Sequence, residues 1–229
     1  MIQRTASVRQ EKESTHMEPL LLRVVDIAHG DHVTSFAAAA AAGIWGVIHK
    51  ATTGATGKDD TYKDRRKAAL DAGLLWGAYH WGTHASVTAQ VENFLSKAAP
   101  DDHTLVALDF EKTRGNQMTL DQAREFLTLI AERLGRKAVL YSGDVIKDRL
   151  GKQRDAFFGS HRLWLAHYTP PPPVVQASWK TYWLWQYTDN TKSKLLPNTV
   201  AGIPGDDKGN LDCNAYNGTK ENLTAEWTS

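Results

Sequence analysis

Cys213 is the only cysteine in this 229-residue chain, so no intrachain disulfide and no thiolate metal cluster can form. An excess of charge is missing too. Lysines plus arginines number 27 and acids 26, and the net charge of +1 sets up no whole-chain field to hold nucleic acid or anionic lipid. Long apolar runs are also lacking: the longest, residues 36–48, is nearly half alanine and falls short of the roughly 20 residues that cross a bilayer. No membrane span is expected. Residues 1–18 are polar and mixed in charge, without the apolar stretch or small-residue cleavage site of a classical export signal. Residues 1–20 read as a disordered lead-in, and Met17 is an alternative start. The whole chain, 41% hydrophobic and 23% charged, has an ordinary composition for a globular protein that buries one core.

Short apolar runs rich in β-branched residues recur at Leu21 to Ile27, Ile44 to Ile48, Leu74 to Tyr79, Thr104 to Phe110, Ala138 to Tyr141, Leu163 to Ala166 and Trp183 to Tyr187. Helical patterns separate the early ones. Phe36 to Ala42 is alanine-rich, Tyr62 to Ala72 is amphipathic and stops at Gly73, and Val87 to Ala98 follows. Leu120 to Leu134 opens with Thr119 and Gln122, a capping-box pair, and closes at Gly135. Alternating strands and helices at about 30-residue spacing point to βαβ units with parallel strands. The rhythm fails after about residue 150, where Pro170 to Pro173 predicts a stiff surface connection. Five β/α units followed by strands without helices fit a single barrel-like α/β domain.

Chemistry gathers at strand ends. Asp109-Phe110-Glu111 closes the run Leu105 to Leu108. Side chains two apart on a strand project to one face, and at about 3.3 Å per residue their Cα atoms stand about 6.6 Å apart. Neighbouring carboxyls resist joint ionisation, so one keeps its proton toward neutral pH. Glycoside hydrolysis uses such a pair: one group protonates the leaving oxygen and the other stabilises the oxocarbenium-like centre. Asp26 ends the first strand in the same way, and Asp212 lies near the C-terminus. Tyr79-His80-Trp81, Tyr141-Ser142 and Trp185-Gln186-Tyr187 end other strands. Acids and aromatics at the mouth of one barrel suggest a carbohydrate groove.

These residues resemble the family 25 glycoside hydrolases, the Chalaropsis-type lysozymes or N-acetylmuramidases. The matching strings run in family order: Val25-Asp26-Ile27 with His29; Ile48-His49-Lys50-Ala51-Thr52; Gly77-Ala78-Tyr79-His80-Trp81; Leu108-Asp109-Phe110-Glu111; Trp185-Gln186-Tyr187; and Asn210-Leu211-Asp212-Cys213-Asn214. The resemblance implies a single modified TIM-like barrel, (β/α)5(β)3, over residues 21–222, with a short irregular C-terminal part and a tail at 223–229. It also implies cleavage of the β-1,4 bond between N-acetylmuramic acid and N-acetylglucosamine in peptidoglycan, with net retention. By position, Glu111 would be the acid/base and Asp109 the carboxylate that assists the substrate acetamido group. Asp26 and Asp212 would support them. Tyr79, Tyr141, Trp185, Tyr187, His80 and Lys50 would meet sugar. Two positions depart from the family pattern: Thr53 stands where an acid is frequent, and Gly30 where a tryptophan is common.

A monomer is expected, acting on the cell wall in an extracellular or periplasmic space, delivered by lysis or a non-classical route. No cofactor or metal is expected. Two other readings compete. Asp26-x-x-His29 with His80 and His84 raises a metal-dependent barrel hydrolase, but no His-Glu-x-x-His or His-x-His string supports it. A non-catalytic glycan-binding protein would keep the groove, yet it has no need of paired acids. Gly54 to Lys58 lacks the residues of a phosphate loop, and Cys213 reads as a small packing residue.

Overall fold

The computed structural model describes residues 21–169, 173–189, 191–193 and 195–229. The lead-in at 1–20 and most of the Pro170–Pro173 connection lie outside the described residues.

In chain order the elements are β1 (Leu22–Ile27), α1 (Phe36–Ala41), β2 (Gly46–Thr53), β3 (Gly57–Lys58), α2 (Tyr62–Asp71), β4 (Leu75–Trp81), α3 (Val87–Ala98), β5 (Leu105–Asp109), α4 (Leu120–Leu134), β6 (Val139–Ser142), α5 (Asp144–Leu150), β7 (Leu163–Ala166), β8 (Leu184–Thr188), β9 (Asp212–Ala215) and α6 (Lys220–Glu226). The sheet runs β1-β9-β8-β7-β6-β5-β4-β2, and β1 pairs with β2 to close it. β3 is a two-residue hairpin arm on β2. Apart from β3, the strands from β1 through β8 run parallel around the barrel, and β9 inserts antiparallel between β8 and β1. Five β/α units and three further strands therefore make the barrel, as the sequence rhythm predicts.

Local sequence explains the edges of these elements. Gln122 N–H donates to the Thr119 hydroxyl at 3.1 Å and Thr119 N–H to the Gln122 side chain at 3.0 Å, so the capping box starts α4 as expected. Gly135 ends the helix at φ +68°, a conformation that costs a glycine little.

Strand alternation divides the core in two. Val24, Ile48, Leu105, Ala107, Val139, Trp164 and Leu184 fill the barrel interior, while a larger layer lies between sheet and helices. The interior is closed at the N-terminal end of the strands by the last turn of the chain. Trp227 is 1% exposed, and its indole N–H donates to Trp76 O at 2.8 Å. Gly46 makes room for it, since a Cβ there would stand 2.8 Å from the Trp227 ring. The segment 223–229, expected as a tail, thus completes α6 and plugs the barrel floor. Its signal was short: the Thr219/Asn222 capping box and two apolar residues, Leu223 and Trp227. Among the described residues no helix is long and apolar enough to cross a membrane.

Candidate active site

On five strands the interior position changes from apolar to polar toward the opposite end of the barrel. Val24 gives way to Asp26, Ile48 to Lys50, Ala107 to Asp109, Val139 to Tyr141 and Leu184 to Gln186. The result is a cleft of about 230 Å³, lined in part by Asp26, Tyr79, Asp109, Glu111, Tyr141 and Asp212. All four acids singled out from the sequence meet there, at the C-terminal face where barrel sites form.

At and past the end of β5 the backbone of the Asp109–Glu111 segment is held by hydrogen bonds from both sides. Gly82 N–H donates to Asp109 O at 3.0 Å and Phe110 N–H to Tyr141 O at 2.9 Å. The Ser142 hydroxyl donates to Phe110 O at 2.7 Å. Phe110 is fully buried in the outer layer, so the residues on either side of it turn into the cleft.

Asp109 is 4% exposed, and its Oδ1 has no hydrogen-bond partner. An unpaired buried carboxyl oxygen is costly, and it is a group prepared to accept a donor from a ligand. Burial, then the nearby Glu111, push the Asp109 carboxyl well above its ordinary value; the Lys50 ammonium opposes them. Glu111 is also raised by burial, while Lys192 and Lys50 pull it down.

Asp26 is held differently. Gln186 Nε2 donates to both of its oxygens at 2.9 and 3.0 Å, and Asn214 Nδ2 to Oδ1 at 2.7 Å. Each amide is itself oriented. The Trp164 indole donates to Asn214 Oδ1 at 2.6 Å. The Tyr141 hydroxyl donates to Gln186 Oε1 at 2.7 Å, and the Tyr168 hydroxyl donates to the same oxygen. With both amide oxygens occupied, both NH2 groups face Asp26. Burial still outweighs these donors and raises Asp26 to about 7. Asp212, opposite Asp26 in the β1–β9 register, is pushed up by burial and then by the Asp26 charge.

Lys50 Nζ lies 4.6 Å over the Trp81 ring and 5.8 Å from that of Tyr79, which places its charge beside the acids. Three residues expected to meet sugar do not line the cleft. His80 is buried behind the sheet, stacked on Phe126 at 4.8 Å and hydrogen-bonded to Thr52 and Gln90. Trp185 donates to His167 O at 2.7 Å from the outer layer, and the Tyr187 hydroxyl donates to Pro197 O. The cause is the two-residue period: Tyr79 and Trp81 face inward on β4, and Gln186 on β8, so their neighbours cannot. Trp81, Trp164, Tyr168, Gln186, Asp189 and Lys192 line the cleft and were missed as site residues. Parity would have found Trp81 and Gln186 once their strands were set. Asp189 and Lys192 lie on a loop without a periodic signal.

The histidines considered as ligands stand apart. His29 meets Asp59 at 3.3 Å, His84 meets Gln122 at 3.0 Å, and His80 is behind the sheet. Among the described residues no three His, Cys, Asp or Glu side chains converge as a metal site.

This fold with acids at its mouth is that of a barrel glycoside hydrolase. Residues 25–194 match the glycosyl hydrolases family 25, and the chain belongs to that family. It is similar to lysozyme M1 of Streptomyces globisporus, 26% identical over 215 residues that span 88% of this chain and 69% of that protein. An autolytic lysozyme of Clostridium acetobutylicum is 29% identical over 80% of this chain, which spans 53% of that protein's length. Among solved structures, a lysozyme from Streptomyces coelicolor superposes with a TM-score of 0.77 at 26% identity, over 90% of this chain and 97% of the other. A muramidase from Acremonium alcalophilum gives 0.73 at 27% identity, over 88% and 96%. The chain is a glycoside hydrolase of the lysozyme or muramidase type.

Proposed function

We propose that this chain hydrolyses the β-1,4 bond between N-acetylmuramic acid and N-acetylglucosamine in peptidoglycan with net retention, with Glu111 as acid/base. The observation that carries the reading is Asp109, buried with an unpaired oxygen in the same cleft as a second raised carboxyl. A substrate 2-acetamido N–H is the donor that oxygen lacks. In the free site the more deeply buried Asp109 is the better resting place for a proton shared by the pair. Donation from the acetamide favours the Asp109 carboxylate and leaves the proton on Glu111. Glu111 then delivers it to the glycosidic oxygen as the C–O bond breaks. The acetamide oxygen, made more nucleophilic as Asp109 draws on its N–H, attacks the anomeric carbon. Water, deprotonated by Glu111, opens the resulting ring intermediate, and two inversions give retention.

Asp26 and Asp212 shape the field around this pair, and Tyr79 and Tyr141 wall the cleft. The protein acts on the cell wall in this reading. Glu111→Gln keeps size and removes the proton, so wall lysis followed by turbidity should vanish while the circular dichroism spectrum stays native. Asp109→Asn should lose several orders of magnitude in turnover. Near-normal lysis by Glu111→Gln, or a loss of only about tenfold (roughly 1.4 kcal/mol) in Asp109→Asn, contradicts these roles.

A further inference from the structure

A second cavity, of about 430 Å³, adjoins the cleft and shares Glu111, Tyr168 and Lys192 with it. Its remaining wall brings Lys112, Lys147 and His167 together from three different loop and helix segments. Two acids border it, Glu111 and Asp144. Lys112 lies 3.7 Å from exposed Asp148 and Lys192 3.8 Å from Asp189, distances too long for tight pairing. Half-buried Lys147 makes no ion pair among the described residues. When Glu111 holds the proton it needs for catalysis, Asp144 is the one charged acid among the described residues lining the cavity, against three ammonium groups, two of them loosely paired with Asp148 and Asp189 outside it.

We infer that this cavity receives the carboxylate-bearing peptide attached to the muramoyl residue of the glycan, an inference that rests on the muramidase reading of the cleft. Glu111 is common to both cavities, so whatever enters the second lies next to the scissile linkage. A substituent carried by a sugar of that linkage meets this condition. N-acetylglucosamine carries no anionic substituent; the muramoyl residue carries an acidic peptide. The volume is that of a ligand pocket and exceeds what a lone carboxylate fills. Lysines that bind through charge are matched to an anion that varies in position, since a flexible ammonium needs no fixed fork.

The test compares peptidoglycan strands bearing their peptides with strands stripped by an amidase, which leaves a free lactyl carboxylate. The wild type should show kcat/KM about tenfold higher on the peptide-bearing strands. In the Lys112→Ala/Lys147→Ala double variant that preference should fall to within about twofold through a rise in KM, with turnover of stripped strands unchanged. Strands whose peptide carboxylates are amidated should behave as stripped ones do. A preference that survives in the double variant overturns the inference, as does a wild type that cuts both substrates equally. A double variant impaired on stripped strands as well also overturns it, because the lysines then serve the lactyl group or the fold. A wild type that cuts neither substrate overturns the muramidase reading itself.

Discussion

Asp26 and Asp212 stand opposite each other across the antiparallel β1–β9 pair at the mouth of the barrel, Asp26 buried and Asp212 half-buried. Like charges in that position repel, and the pair relieves the repulsion by keeping a proton. Burial raises Asp26 from 3.8 to about 7. Between those values the folded chain binds a proton that the unfolded chain releases. The stability this group contributes is therefore present in full below about pH 4 and is lost as pH rises through 7. Asp109 and Asp212 are raised in the same direction.

Buried His49 and His80, held at about 4, act in the opposite direction, so the reading from thermal melts is a comparison: between pH 5 and pH 7 the Tm of the wild type should fall relative to that of Asp26→Asn. An equal change of Tm in the variant would mean that Asp26 is not protonated in the folded chain.

Gln186→Leu removes two N–H donors from Asp26 and leaves the Tyr141 and Tyr168 hydroxyls without their acceptor. Donors to a carboxylate lower its pKa, so their loss raises it further. Activity should fall about tenfold or more, and the Asp26-dependent limb of the pH–rate profile should move to higher pH. Equal activity with a profile of unchanged position would show that Gln186 does not orient Asp26 for catalysis.

Trp81→Ala should raise KM for glycan by about tenfold, the scale of one lost ring contact, while Trp185→Phe should leave KM alone and lower Tm. The contrast follows from the inward face of Trp81 and the outward face of Trp185. If the two variants exchange these effects, β8 presents its other face to the cleft.

Trp227→Ala opens a hole at the barrel floor, far along the strands from the acids. Unfolding by denaturant should show a loss of about 3–5 kcal/mol, with kcat of the folded protein nearly unchanged. A loss under about 1 kcal/mol would show that the barrel interior is closed without that ring.

The barrel itself was legible because parallel strands buried on both faces read as short continuous apolar runs, and the helices between them carry strong caps such as Thr119 and Gly135. The acids were legible because ionisable groups at the ends of such runs are conspicuous. Facing was harder. In Tyr79-His80-Trp81 and Trp185-Gln186-Tyr187 every residue is able to meet sugar, and only the register of the closed sheet selects Trp81 and Gln186 over His80, Trp185 and Tyr187. The two-residue arm β3 and the four-residue strand β9 are too short for a periodic signal. Asp189 and Lys192 reach the cleft from a loop whose path depends on hydrogen bonds from Thr191 and Lys192 backbone N–H to Asp189.

Mass spectrometry of peptidoglycan digested by the purified chain tests the central claim most directly. Fragments ending in reducing N-acetylmuramic acid, formed by wild type and absent with Glu111→Gln, are the expected result. Fragments ending in reducing N-acetylglucosamine, or free peptides beside uncut glycan, would contradict it.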